Sequence, residues 1–250
     1  HLFAGVLHQR EQPRFADSRQ RLGLLLEGFD LQVLHPDIPR LALPLTQGGQ
    51  TDLFFSVTGQ HRTPTGLHQG TCTRAEIGLA NPGAKFRGTR HNVGAMCVDE
   101  LARRAGTRLE NKVRDTELAE TEIGEAPAII VRPINYVNES GKSVRNVLRK
   151  FNAEPNRLLL IVDDMDLTIG RLRLRAGGGS GGHNGLKSVR QATGTDDFPR
   201  LRIGVGRPPA GSDPIQHVLG RFRPDERELI ESGVNRAADA VEAIQREGLE

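Results

Sequence analysis

The chain has 250 residues, of which 26% are charged and 36% hydrophobic, a balance typical of a soluble globular protein. No stretch approaches the ~18 apolar residues of a membrane span, and two cysteines are too few for a disulfide framework or zinc site, so we expect a cytoplasmic protein without membrane contact. The net charge of +3 fits a polyanionic partner such as nucleic acid, and equally an ordinary, slightly basic enzyme.

The first 72 residues differ in composition from the rest of the chain. They contain no Lys and no Met, they hold five of the eight His residues, and they do not begin with Met. Local patterns predict a short helix or strand over 21–34 and a strand over 52–57, but we find no motif with chemistry there. We expect 1–72 to be an N-terminal extension, either ill-ordered or translated upstream sequence, and 73–250 to be the functional domain. A genuine small N-terminal domain is the less favoured alternative.

From about Ile77 onward, patterns of strand and helix type alternate along the chain. Apolar residues at helical spacing predict helices over 92–106, 140–151 and 224–248. Short apolar runs predict strands over 128–133, 158–164 and 201–206, and the alternating RLRLRA predicts a strand over 171–176 with one face of arginines. This alternation favours an α/β protein, a single-domain three-layer α/β/α sandwich with a mixed, mostly parallel sheet, preceded by the extension.

Polar side chains follow the predicted strands, where α/β sheets form their binding sites. They are Asn81, His91, Asn138, Asp163 and the pair His183–Asn184. Each also has an ordinary structural interpretation, because Asn-Pro-Gly is commonly a turn, Asn and Asp cap helices, and a lone His is commonly structural. All of them nevertheless lie at the ends of predicted elements that one sheet could bring together, which indicates a functional site.

Several known catalytic patterns are absent from the sequence. It has no H-E-x-x-H and no P-loop, and the glycine run 177–185 lacks the βαβ context of a dinucleotide site. The run Asp163, Asp164, Asp166 is an alternative magnesium site, but side chains alternate along a strand and would not all face one way. A His paired with a carboxylate remains, suited to take a proton from water at neutral pH. Neutral amides would then hold that water or stabilise an oxyanion without repelling a phosphate-rich substrate.

Four segments in this order resemble bacterial peptidyl-tRNA hydrolases: GLANPGAKFRGTRHNVG, VNESGKSV, VDDMDLTIGRLRLRAGGGSGGHNGLKS and DFPRLRIGVGRP. The resemblance runs from about Ile77 to the C-terminus. It implies a carboxylic ester hydrolase that needs no metal or cofactor and cleaves the ester between peptide, or N-blocked aminoacyl group, and tRNA, which recycles tRNA from stalled translation. It also implies a cytoplasmic monomer whose partner is tRNA. The alternative is a non-catalytic RNA-binding relative of the same fold.

The resemblance also assigns roles to individual residues. It makes His91 the catalytic base and Asp163 the carboxylate that orients it. Asn81 and Asn138 would bind substrate, with Asn138 stabilising the oxyanion, and Asn184 would hold the attacking water and contact the peptide.

Further positions would contact the two ends of the substrate. Phe86, Gly182 and His183 would contact the acyl end, while Arg173, Arg175 and Arg202 would bind tRNA phosphates. The glycines would let the main chain approach the peptide. The chain departs from the family pattern at TCTRAEIG, which is polar where the family's first strand is apolar.

Overall fold

The structure is a computed structural model, and it describes residues 74–249. The predicted extension 1–72, with its segments 21–34 and 52–57, lies outside the described residues. Within the described part of the chain, no helix combines the length and the apolar composition that crossing a bilayer requires.

Seven strands form one sheet in residues 74–249. They are β1 (Arg74–Gly78), β2 (Glu110–Val113), β3 (Thr116–Ile123), β4 (Ala126–Pro133), β5 (Leu158–Asp164), β6 (Leu172–Arg175) and β7 (Arg200–Gly204). The helices of the same region are α1 (Val93–Arg104), α2 (Ser140–Phe151), α3 (Asn184–Thr193), α4 (Pro214–Leu219) and α5 (Pro224–Glu247). All seven strands and helices predicted after residue 77 are confirmed, while β2, β3, α3 and α4 were not predicted.

The sheet has the order β2-β3-β4-β1-β5-β7-β6. Strands β1, β4, β5 and β7 run parallel, whereas β3 pairs antiparallel with β4 and β6 pairs antiparallel with β7. Along β5, Leu159 and Ile161 join the core under α1 and α5, and Leu158 and Leu160 join the core under α2 and α3. Both faces of β5 are therefore covered, which explains its continuous apolar run and confirms the three-layer α/β/α sandwich.

Two glycines let α1 lie directly against the sheet. A Cβ at Gly94 would stand 2.3 Å from the Ile161 carbonyl oxygen, and a Cβ at Gly78 would stand 2.2 Å from the Gly94 carbonyl oxygen. Only residues without a side chain allow backbones so close together. This contact places the N-terminal end of α1 over the carboxyl end of β5.

Strand β1 forms even though its sequence RAEIG is polar, and it buries Glu76 completely. Gln245 of α5 donates to Oε1 of Glu76 at 2.6 Å, while Oε2 has no hydrogen-bond partner among the described residues. Burial raises the pKa of Glu76 to about 8, against the opposing effects of Arg74 and of hydrogen bonds from its own backbone and Gln245. The carboxyl group is therefore protonated in the folded chain at neutral pH.

Glu76 should make the stability of the protein depend on pH. Folding raises the pKa of Glu76, so its contribution to the free energy of unfolding is complete below about pH 4.5. As the pH rises from there towards 8, this contribution is lost at up to about 1.4 kcal/mol per pH unit. We expect Glu76→Gln, which does not titrate, to be more stable than the wild type at pH 8.5, with a much smaller difference at pH 5. Urea unfolding at both pH values measures this. If the variant and the wild type differ in stability by the same amount at both pH values, the raised pKa of Glu76 is contradicted.

Candidate active site

A histidine and an aspartate meet at the carboxyl end of β5. His91 lies in the 3₁₀ turn Arg90–Asn92, immediately before α1, and Asp163 is the next-to-last residue of β5. Nδ1 of His91 lies 2.7 Å from Oδ1 of Asp163, although 72 residues separate them in sequence. Because this bond uses Nδ1, Nε2 of His91 is left to face a substrate.

A second histidine bonds to the same carboxylate oxygen. Nε2 of His183 lies 3.1 Å from Oδ1 of Asp163. Its other ring nitrogen, Nδ1, accepts the backbone N–H groups of Gly185 and Leu186 at 3.1 and 3.3 Å, where α3 begins. Since Nδ1 accepts, the proton of the neutral ring must be on Nε2, and His183 donates it to Asp163. Asp163 therefore accepts from two imidazoles.

The two neighbouring rings set the charge of Asp163. Burial alone would raise the pKa of Asp163, but electrostatic attraction to the His183 ring and its hydrogen bond, followed by those of the His91 ring, hold it far below its usual range. Burial alone would likewise lower the pKa of His91, but the hydrogen bond and charge of Asp163 outweigh it and raise that pKa above 6.5. The site thus pairs an ionised carboxylate with an imidazole that is a stronger base than usual.

The ligand atoms of His91, Asp163 and His183 lie within 4.8 Å of one another, a spacing that could hold a metal ion. The geometry favours hydrogen bonds instead, because each imidazole directs a ring nitrogen at the carboxylate and the main chain occupies Nδ1 of His183. The neighbouring acids turn elsewhere: Asp164 pairs with Arg202 at 3.0 Å, and Asp166 pairs with Arg207 at 2.8 Å. The three carboxylates therefore bond to different partners, although all of them line the same pocket.

His91 and Asp163 open into a pocket of about 260 Å³. One side is formed by the end of the glycine loop, which contributes Gly182, His183 and Asn184. Helix α4 forms an apolar wall with Ile215, which is 64% exposed, together with Pro214 and Val218. The pocket therefore joins a proton acceptor, an exposed amide at Asn184 and an apolar surface.

The amides of Asn81 and Asn138 are placed differently from that of Asn184. The main chain of Asn81 is held by Asn92, whose amide accepts from its N–H at 2.9 Å and donates to its carbonyl oxygen at 2.8 Å. Oδ1 of Asn81 in turn accepts the backbone N–H of Val137 at 3.0 Å. Asn138 follows with an exposed side chain. Asn81 lines a separate cavity, so its visible role is to anchor the turn that presents Asn138.

Phe86 lies beside this same turn. Its half-buried ring meets the ring of Tyr136 edge-on, with centroids 6.3 Å apart. Tyr136 is 51% exposed. The two rings form a small aromatic surface next to Asn138.

The predicted arginine face is confirmed on β6 and extends onto β7. In the antiparallel register of β6 and β7, Arg173 lies opposite Arg202 and Arg175 lies opposite Arg200. Residues that lie opposite each other project from the same face of a sheet, so all four side chains are on one face. Arg202 lies at the pocket, where it donates to Asp164 and to the carbonyl oxygen of Gly179. Arg173 and Arg175 are partly exposed along the edge strand.

Three features of the site were missed by sequence reasoning. Arg90 is buried and bonds to Glu226 at 2.5 Å, which anchors the His91 turn to the start of α5 from 136 residues away. The Arg200 side chain donates hydrogen bonds to the main-chain carbonyl oxygens of Gly178 and Gly179 in the glycine loop. Ser180 lies within a G-x-S-x-G spacing over 178–182, yet both ring nitrogens of His183 are already engaged, and the bond between the two residues joins the backbone N–H of His183 to the carbonyl oxygen of Ser180 at 3.1 Å. The first two pairings are too distant in sequence to leave a local pattern.

Comparisons of sequence and of structure with known proteins identify the same family. The family model for peptidyl-tRNA hydrolases matches residues 76–250. The peptidyl-tRNA hydrolase of Halalkalibacterium halodurans is 44% identical over 170 residues, which cover 68% of this chain and 92% of that protein. The enzyme of Syntrophomonas wolfei is 41% identical over 174 residues, 70% of this chain and 94% of that one. The crystal structure of Acinetobacter baumannii peptidyl-tRNA hydrolase has a TM-score of 0.66 and 32% identity, covering 72% of this chain and 92% of that one.

Proposed function

The chain belongs to the peptidyl-tRNA hydrolase family and hydrolyses the ester between peptide and tRNA, and we propose that it does so with water activated by His91. The observation that carries this proposal is the 2.7 Å bond between Nδ1 of His91 and Oδ1 of Asp163. It fixes the tautomer of the ring, so that Nε2 carries a lone pair towards the pocket.

The reaction then needs one base and no covalent intermediate. Nε2 of His91 takes a proton from water as the water oxygen attacks the ester carbonyl carbon, and the carbonyl oxygen becomes an oxyanion. The tetrahedral intermediate collapses, the bond to the ribose oxygen of tRNA breaks, and that oxygen takes the proton from His91. Asp163 stabilises the imidazolium that exists between the two proton transfers.

The amides and the second histidine support this step. Asn184, exposed at the pocket, would hold the attacking water, and Asn138 would donate to the oxyanion. Asn81 would position the turn of Asn138 through Val137, while its Nδ2, which bonds to none of the described residues, is left for substrate. His183 would position Asp163, and with Gly182 and Phe86 would contact the acyl end.

Release of an N-blocked amino acid from tRNA tests the function directly. We expect release with and without EDTA, because the hydrogen-bond geometry supplies a base without a metal ion. Activity lost in chelator and restored by a divalent cation would favour the metal interpretation of the His91, Asp163 and His183 cluster. A folded protein that binds tRNA without releasing the amino acid would favour the RNA-binding alternative.

We further propose that residues 73–250 form the catalytic domain, acting in the cytoplasm as a monomer. The family match over residues 76–250 supports this division of the chain. A protein lacking 1–72 should keep the kcat and the melting temperature of the full chain. Light scattering during size-exclusion chromatography measures its mass in solution, and a dimer mass would contradict the monomer.

Arg173, Arg175 and Arg202 are proposed to bind tRNA phosphates, and Arg175 offers the clearest test because it lies at the edge of the sheet. Arg175→Ala should raise KM for N-blocked aminoacyl-tRNA several-fold at unchanged kcat. It should also lower the slope of log KM against log salt concentration by about 1. Arg103→Ala, an exposed arginine on α1, is the matched control and should change neither quantity. Equal slopes in both variants would remove Arg175 from the RNA contact.

A further inference from the structure

We propose that Arg200 is a positioning residue for hydrolysis, which fixes the glycine loop and thereby holds His183 and Asn184 at the pocket. This inference rests on the proposed function, because it concerns how the same site is held in place. Arg200 begins β7 and its residue is only 1% exposed, so it differs from the other arginines of that face.

The Arg200 guanidinium is bonded to main-chain carbonyl groups on two separate segments. It donates to the carbonyl oxygens of Gly178 and Gly179 in the glycine loop, the latter at 3.2 Å. It also donates to the carbonyl oxygens of Asp196 at 2.7 Å and Phe198 at 3.2 Å. The group lies 4.5 Å from the centre of the Phe198 ring, so both its edge and its face are engaged.

These two segments lie on either side of α3. The glycine loop leads into α3, and residues 196–198 follow it before β7 begins. A backbone bond of 3.3 Å from the N–H of Gly178 to the carbonyl oxygen of Asp196 joins the same segments. Because His183 caps α3 and Asn184 is its first residue, a cation that holds both flanks of the helix also sets where these two side chains stand.

The glycine loop needs such an external constraint. Gly178, Gly181 and Gly182 adopt positive φ angles of 113°, 58° and 84°, and glycine-rich chain loses more conformational entropy on ordering than any other sequence. A planar guanidinium with five N–H donors can reach carbonyl groups on both segments at once. An ammonium group with three donors around one point cannot span them equally well. The constraint therefore depends on arginine and not on charge alone.

Burial separates this role from RNA binding. Arg175, the cross-strand neighbour of Arg200, is partly exposed on the edge strand, whereas the donors of Arg200 face inward onto carbonyl groups. Loss of a phosphate contact would raise KM and reduce the dependence of KM on salt concentration. Displacement of His183 and Asn184 would instead lower kcat, because misplacing a catalytic group by about 1 Å reduces the rate by up to about 100-fold.

The test compares Arg200→Met, Arg200→Lys and the wild type on N-blocked aminoacyl-tRNA, each well below its own melting temperature. We expect Arg200→Met to lose at least about tenfold in kcat, with KM and the salt slope as in the wild type. Arg200→Lys should recover part of the lost kcat. Arg104→Met is the matched control: it removes bonds from α1 to Asp239 and Glu242 of α5, and one to Glu100 within α1, so it should lower the melting temperature and leave kcat unchanged.

Each outcome decides the inference. A folded Arg200→Met protein with wild-type kcat overturns it, and so does a variant whose KM and salt slope change as in Arg175→Ala. If Arg200→Met does not fold, Arg200→Lys decides: reduced kcat in a folded protein supports the inference, and wild-type kcat overturns it. A wild-type chain that releases no amino acid would instead reject the proposed function, so the two failures are distinguishable.

Discussion

His91→Ala should lower kcat for N-blocked aminoacyl-tRNA by about two to four orders of magnitude, the usual contribution of a general base. The variant keeps Asp163 and the pocket but loses the imidazole that we propose takes the proton from water. KM should change little, because the tRNA contacts proposed for the arginines remain. Single-turnover kinetics measure the loss. A folded variant with wild-type kcat would reject His91 as the base.

The pH profile gives a second test of the same residue. His91 acts as a base only when neutral, so activity should rise with pH as the ring loses its proton. Because Asp163 raises the pKa of His91 above 6.5, the midpoint of this rise should lie above pH 6.5. A midpoint below that value would contradict the bond between the two side chains.

Asp163→Asn should be nearly as damaging, with kcat reduced by about three to four orders of magnitude, as for an orienting carboxylate in other hydrolases. The carboxylate oxygen Oδ1 accepts from His91 at 2.7 Å and from His183 at 3.1 Å. An asparagine oxygen in the place of Oδ1 could still accept from both rings, but a neutral amide is a weaker acceptor than a carboxylate, so it would hold the orientation and tautomer of the His91 ring less firmly. The buried imidazolium would also lose its counter-charge, which moves the pH midpoint downward.

The matched control for this change is Asp166→Asn, two residues along the same segment. Asp166 lines the pocket, but among residues 74–249 its side chain pairs only with the exposed Arg207, so kcat should remain within about twofold of the wild type. If Asp163→Asn and Asp166→Asn lose activity equally, the His91–Asp163 pair is not the catalytic unit.

The central part of the fold could be predicted because its elements carry strong periodic patterns. The run LLLIVDD is covered on both faces and the helix 140–151 has one continuous apolar stripe, so each could be located from sequence alone. β2 and β3 contain few apolar residues. Helix α3 follows a glycine-rich loop and its cap His183, and it begins with Asn184-Gly185, a dipeptide that also suits a tight turn. β1 was obscured because Glu76 occupies a buried position that normally takes an apolar residue.

The site could be predicted only in part, and for a different reason. His91 and Asp163 were singled out by their positions at the ends of predicted elements and were paired by the resemblance, and the structure shows the bond between them. His183 was expected to contact substrate, but its bond to Asp163 depends on where α3 begins, which the sequence did not indicate. Arg200 and Arg90 act through partners brought together only by the complete sheet. No local spacing rule anticipates a guanidinium that holds carbonyl groups from two loops.

The aromatic surface beside Asn138 has a practical consequence. The chain contains no Trp and a single Tyr, and that residue is Tyr136. Its ultraviolet emission therefore arises from one phenol ring, half open to solvent and edge-on to Phe86. A peptide ester that settles against this ring should alter its fluorescence, so occupancy of the neighbouring cleft can be followed optically in the unlabelled protein.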